Sequence, residues 1–156
     1  RQITPQDQAA IEAVITQVMT EFDTIGPGYS INDTEMKNLY QAYHNERSLY
    51  LILEEDNQII GGGGIAPLAG GDPEVCELKK MYFLPAARGK GYGRQMLEHL
   101  LTAARTMDYK TCYLETVTRM EAAKKLYLKM GFEPLCSAMG NTGHSACEAY
   151  YSKKLI

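Results

Sequence analysis

Residues 88–94 read Arg88-Gly89-Lys90-Gly91-Tyr92-Gly93-Arg94. Three glycines in five residues let the backbone turn sharply and bring its N–H groups close to a ligand. Upstream, Val75 to Leu84 reads as a strand stopped by Pro85. Downstream, Met96, Leu97, Leu100, Leu101 and Ala104 recur at helical spacing, which predicts a helix from about Gly91 to Met107. The positive end of that helix faces the glycine-rich bend. Arg88, Lys90 and Arg94 add three cations there, in a chain whose net charge is −3. The arrangement suits a pyrophosphate; a plain glycine turn with solvated charges is the alternative. A phosphate-binding P-loop needs Lys-Ser or Lys-Thr after its last glycine, and Gly93 is followed by Arg94-Gln95. A dinucleotide fingerprint needs glycine at position 94, although Glu115 could play the ribose-binding acid of such a site.

Working outward, Thr4-Pro5-Gln6-Asp7 reads as a helix start, and Ile11, Val14, Ile15, Val18, Met19 and Phe22 follow helical spacing until Gly26-Pro27-Gly28. A second helix is predicted from about Asp33 to Tyr43. Ser48 to Leu53 and Gln58 to Pro67 form a predicted hairpin around the polar turn Glu54-Glu55-Asp56-Asn57. Its second strand carries Gly61 to Gly64, which suggests close approach of neighbouring chain. After the Gly91–Met107 helix come a strand from Thr111 to Val117 and a helix from Met120 to Met130, with Gly131 as C-cap. A strand near Phe132 to Ser137, a loop over Gly140 to Gly143 and a strand from Glu148 to Leu155 complete the series. The order predicts a mixed α/β sheet, and the length of 156 residues fits one domain over 1–156.

Hydrophobic residues make up 45% and charged residues 22%, which is a globular and not a disordered composition. The acidic balance speaks against a nucleic-acid binder. No run of eighteen apolar residues and no signal peptide is present, so a membrane partner is not expected. Cys76, Cys112, Cys136 and Cys147 contain no Cys-x-x-Cys pair, so reduced, mostly buried thiols in a cytoplasmic protein are expected, and no metal. The chain starts at Arg1, so the native methionine is expected upstream.

The loop Arg88-Gly89-Lys90-Gly91-Tyr92-Gly93 resembles the Arg/Gln-x-x-Gly-x-Gly/Ala signature of the GNAT superfamily of acyl-CoA-dependent N-acetyltransferases. Glu77-Leu78-Lys79-Lys80-Met81-Tyr82-Phe83-Leu84-Pro85 is similar to the family's fourth strand. Ala123-Lys124-Lys125-Leu126-Tyr127-Leu128-Lys129-Met130-Gly131-Phe132 is similar to its Ala-x-x-Leu-Tyr-x-x-x-Gly-Phe helix. The resemblance covers roughly Val75 to Phe132. It implies a mostly antiparallel sheet flanked by helices, with central strands four and five splayed to admit acetyl-CoA. The diphosphate would lie on the N–H groups from Arg88 to Arg94. The pantetheine arm would run beside Met81, Tyr82 and Phe83, pairing like an extra strand. Met120 stands where many members carry asparagine, and with Ala123 and Tyr127 it shares a helical face toward that arm.

Acetyl transfer to an amine makes three physical demands. The amine, with a pKa near about 10, must lose a proton. The tetrahedral oxyanion needs a donor, worth about 3 kcal/mol. The leaving thiolate gains from an acid. By resemblance Tyr127 is the acid, and an N–H near Met81 or Phe83 serves the oxyanion. Glu77, eleven residues before Arg88, matches a position where several members place a catalytic carboxylate. Strand alternation would put Glu77, Lys79, Met81 and Phe83 on one face, leaving Glu77 either a base acting through water or the ion-pair partner of Lys79. Glu115 is a second acid candidate and a candidate to hold the substrate ammonium. Tyr29 and His144 are candidate acceptor-side residues, with a solvated surface histidine the plainer reading of His144. The implied reaction is direct transfer to a primary amine of a small molecule, an amino acid or a peptide N-terminus. A non-catalytic acyl-CoA sensor and a dinucleotide-dependent oxidoreductase are the alternatives. A homodimer is an assembly common in the family.

Overall fold

The computed structural model describes all residues, Arg1–Ile156. Six strands form one sheet in the order β1-β2-β3-β4-β6-β5, where β1 is Leu49–Glu55, β2 Gln58–Pro67, β3 Val75–Phe83, β4 Thr111–Thr116, β5 Glu133–Leu135 and β6 Ala149–Lys154. Neighbours are antiparallel except β3 and β4. The helices are α1 (Gln8–Glu21), α2 (Leu39–Tyr43), α3 (Tyr92–Thr106) and α4 (Glu121–Lys129). A single antiparallel bridge from Gln2 to Leu51 lies along the outer edge of β1.

The apolar stripes read from the sequence are the ones buried. Ile11, Val14, Ile15 and Met19 of α1 pack with Leu39, Tyr43, Tyr50 and Ile52 on one side of the sheet. Met96, Leu97, Leu100, Leu101 and Ala104 of α3 pack with Cys76, Leu78, Cys112 and Leu114 on the other. The β1–β2 hairpin turns at Asp56 and Asn57, both at positive φ (51° and 60°), as a two-residue hairpin turn requires. The glycines of β2 make room for large neighbours: a Cβ on Gly64 would lie 2.6 Å from the Tyr50 ring, and one on Gly63 would lie 2.8 Å from Met81 Cγ.

Three expectations are corrected. The predicted helix from Asp33 to Tyr43 is broken into 3₁₀ turns at Ser30–Asn32 and Thr34–Lys37, followed by the five-residue α2. Asn38 interrupts it: at ψ 80° its side chain accepts from Gln41 N–H and starts a new helix instead of continuing the old one. β5 spans only three residues, so the loop from 136 to 148 is much longer than the glycine segment alone. Finally, two of the four free cysteines are buried, while Cys136 is exposed and Cys147 half-buried.

The feature that positions the site is a break in β3. Lys80 sits at φ 50°, and the β2–β3 register slips between Gly62 and Gly64. This bulge reverses the alternation. Cys76, Leu78, Met81 and Phe83 all join the α3 side, whereas Tyr82 and Leu84 join the α1 side. Glu77 therefore does not share a face with Met81 and Phe83, contrary to strict alternation. It shares one with Lys79, Lys80 and Tyr82.

Candidate active site

β3 and β4 pair only at Val75–Thr111, Cys76–Cys112 and Glu77–Tyr113. Beyond Glu77 the two strands part, and the β3 edge facing β4 is left without a strand partner. Two cavities with shared lining residues lie at the gap. One, of about 320 Å³, runs from Arg88, Gly89, Gly91, Gly93 and Arg94 along Tyr82 and Phe83 to Leu126. The other, about 70 Å³, is lined by Tyr29, Glu77, Glu115, Tyr127, His144 and Cys147 among others. Met81, Tyr82, Met120 and Ala123 line both, which places the junction where the strands separate.

The loop has the geometry of an anion cradle. Arg88 N–H donates to Pro85 and Gln95 N–H to Gly91, but the six N–H groups from Gly89 to Arg94 make no hydrogen bond within the chain. Those of Tyr92, Gly93 and Arg94 open α3 and have no partner a turn earlier. Gly89 (φ 75°) and Gly91 (φ 81°) hold left-handed conformations, and a Cβ on either would meet nothing within 4 Å, so the space beside the backbone is open. The three cations are not idle: Arg88 pairs with Glu21 at 2.6 Å, Lys90 with Glu55 at 3.3 Å and Arg94 with Glu98 at 2.8 Å. Tyr92 donates to Glu55 as well. An incoming phosphate competes with carboxylates for these side chains, whereas the backbone N–H groups are free. These observations fit a diphosphate on residues Gly89 to Arg94 and an extended arm along the open edge of β3.

At the other cavity, four carboxyl groups and three cations converge. Lys79 pairs with Glu35 at 2.8 Å, not with Glu77. Lys80, its side chain fully buried, pairs with Asp33 at 2.6 Å and Glu35 at 2.7 Å. His144 Nε2 lies 3.0 Å from Asp33, and its Nδ1 lies 3.3 Å from Glu115 and 3.7 Å from Glu77. The broken second helix is explained here, since it carries Asp33 and Glu35 to the paired lysines. His144 is not a surface group: its side chain is 7% exposed. Burial alone would lower its pKa, but hydrogen bonds to Asp33 and Glu115 raise it to about 9, so it is a cation at neutral pH. Asp33 would be raised by burial, and His144 and Lys80 hold it down to about 2. Glu115 accepts from Tyr113 at 2.8 Å and from Thr142 at 3.0 Å and stays below the usual carboxylate range against its burial. It lies at the end of the cleft away from the glycine loop, where it cannot serve as a dinucleotide's ribose-binding acid.

Glu77 differs from the other three acids. It is 3% exposed, and its carboxylate accepts no side-chain hydrogen bond, with His144 Nδ1 3.7 Å away. Burial raises its pKa to about 7, with Glu115 adding to the rise and Lys79, His144 and Lys80 opposing it. Tyr127 is buried between Phe132 and Tyr151, and burial drives its phenol well above the usual range, so it is protonated at neutral pH. Met120 caps the start of α4, where its sulfur accepts from Thr116 at 3.6 Å. Tyr29 lines the cavity and its hydroxyl accepts from Arg119 at 3.1 Å. Sequence reasoning missed Asp33, Glu35 and Lys80, whose signal is a long-range meeting of charges. It also missed Arg119, which carries no motif.

The sequence profile of the "Acetyltransferase (GNAT) family" matches residues 15–132. The chain is 43% identical over 156 residues to the uncharacterized N-acetyltransferase YjgM of Escherichia coli strain K12, covering 99% of this chain and 93% of that one. Among solved structures, an acetyltransferase of the GNAT family from Staphylococcus aureus Mu50 superposes with a TM-score of 0.86 at 17% identity, covering 100% and 98% of the two chains. The putative acetyltransferase yncA from Salmonella typhimurium, determined with acetyl-CoA, gives 0.79 at 18% identity, covering 100% and 92%. A parted central sheet with a cradle of free N–H groups is thus the frame of an acyltransferase. The chain belongs to the GNAT family, and it is an acetyltransferase.

Proposed function

We propose that this chain moves an acetyl group from acetyl-CoA directly to a primary amine of a small molecule, an amino acid or a peptide N-terminus. Acetyl-CoA supplies the thioester. The N–H groups from Gly89 to Arg94 take the diphosphate, and the unpaired β3 edge at Met81 to Phe83 takes the arm, with Met120 and Ala123 as the apolar wall opposite. The observation that carries the reading is that Glu77 alone among the clustered carboxyls has no hydrogen-bond donor. A buried carboxyl with a pKa near about 7 is matched to removing a proton from an ammonium at neutral pH. The narrower cavity, where Glu77 sits, admits the amine end of the acceptor. An N–H near Met81 or Phe83 stabilises the oxyanion, and Tyr127 donates to the departing thiolate.

The test is release of free CoA thiol across a panel of amines, followed by kcat/KM against pH for the responsive amine. With Glu77 as base, kcat/KM falls on the acid side near pH about 7. In Glu77→Gln that limb disappears and the plateau drops by about 10²-fold. Retention of the limb in the variant removes Glu77 from the role.

A further inference from the structure

Arg119 belongs to no motif, lines neither cavity and forms no ion pair with a carboxylate. Its side chain nevertheless has fixed partners. Nε donates to the Phe22 carbonyl, and Nη2 donates to the Asp23 carbonyl at 2.7 Å and to the Tyr29 hydroxyl at 3.1 Å. All three acceptors lie at the end of α1 or in the segment just after it, and Arg119 itself directly precedes Met120 at the start of α4.

These two segments are opposite walls of the cleft. Val18 and Phe22 line the coenzyme-side cavity from α1; Met120, Ala122 and Ala123 line it from α4. Met19, Thr24 and Tyr29 face Met120, Ala123 and Tyr127 across the acceptor-side cavity. Arg119 thus spans from wall to wall beside the junction that the two cavities share. Because it is exposed and lines neither cavity, the bridge lies on the solvent side. A planar guanidinium with five N–H donors suits this task, since it can reach three oxygens from one rigid fork.

We propose that Arg119 is a positioning residue that closes the solvent side of the cleft over the thioester end of the bound coenzyme, fixing the distance between the α1 and α4 walls. The inference rests on the proposed placement of the arm between those walls. The bridge must open for the coenzyme to leave sideways, so it slows dissociation more than it changes the chemistry of the site.

The test is the dissociation rate of CoA from the full chain, measured by stopped-flow displacement, for wild type, Arg119→Ala and Arg119→Lys. Arg119 is exposed, and circular dichroism of each variant checks that it folds. Arg119→Ala is expected to release CoA about tenfold faster, the scale of losing a few exposed hydrogen bonds. Arg119→Lys is expected to stay fast, because one ammonium on a flexible stem cannot span the three acceptors. A wild-type rate in Arg119→Ala overturns the bridge. So does full rescue by lysine, which would mean that charge alone attracts the coenzyme. Wild-type chain that shows no heat of binding with CoA in calorimetry overturns the functional reading and the bridge together, an outcome distinct from binding with an unchanged rate.

Discussion

A carboxyl group buried without a donor is held in a state of high proton affinity, and so is a buried imidazole set between carboxylates. Glu77 and His144 are such groups, 3.7 Å apart. The histidine's pKa in the fold, about 9, lies above the ordinary value of 6.5. The folded state therefore binds that proton more tightly than the unfolded chain. Its stabilising contribution is complete below pH about 6.5 and is lost as pH rises through about 9. Thermal melts between these limits should show the midpoint falling with pH, and His144→Gln should melt lower at pH 6 with a flatter profile above it. Tyr127 yields a second residue-scale expectation. Tyr127→Phe keeps the ring packed against Phe132 and Tyr151 but removes the hydroxyl proposed as the acid, so under that proposal kcat should fall by about 10²-fold with KM for acetyl-CoA little changed. Steady-state kinetics at saturating amine measures both.

Among the elements, β3 and the glycine loop make separable demands on backbone. A methyl group on Gly64 would press on the Tyr50 and Tyr43 rings and on the Leu49 carbonyl, all within 2.9 Å. Gly64→Ala should therefore lose about 1–3 kcal/mol, seen as a lower urea midpoint with unchanged slope. Gly91 stands in open space, and only its φ of 81° resists a side chain. Gly91→Ala should fold, with a loss of about 1–2 kcal/mol, and calorimetry should find CoA binding weakened because the strained turn no longer holds its N–H groups in place. These two elements also mark how far the amino-acid sequence could be read. The glycine loop, the hairpin at Asp56-Asn57 and the Met120–Ala123–Tyr127 face depend on neighbours a few positions away, and they were legible. The β3 bulge was not, because Lys80 adopts its positive φ while its ammonium is held by Asp33 and Glu35, some 45 positions earlier. The same pairing explains why the second helix breaks.

At the scale of the whole molecule, the proposed acceptor end is assembled from distant stretches of chain. Asp33 comes from the 3₁₀ region, Glu77 from β3, Glu115 from β4, and His144 from the long segment between β5 and β6. That segment is fastened by Asn141 N–H on the Ala69 carbonyl, Ala146 N–H on the Gly28 carbonyl and Thr142 on Glu115. Composition alone makes His144 a surface group, since nothing local announces three carboxylates waiting for it. The proposed coenzyme end, by contrast, is built mainly from the contiguous stretch Val75 to Phe132, which is why its motifs stand out and the acceptor's do not.

The sheet order β4-β6-β5 has a consequence for synthesis. β6 lies between two strands made before it, pairing with β4 along six residues and supplying β5 with all its sheet hydrogen bonds. On the ribosome, β5 must wait unpaired until residues 149–154 emerge and thread into place. The β4-β6-β5 half of the sheet therefore closes last, after the glycine loop and both helices that wall the cleft have been synthesised.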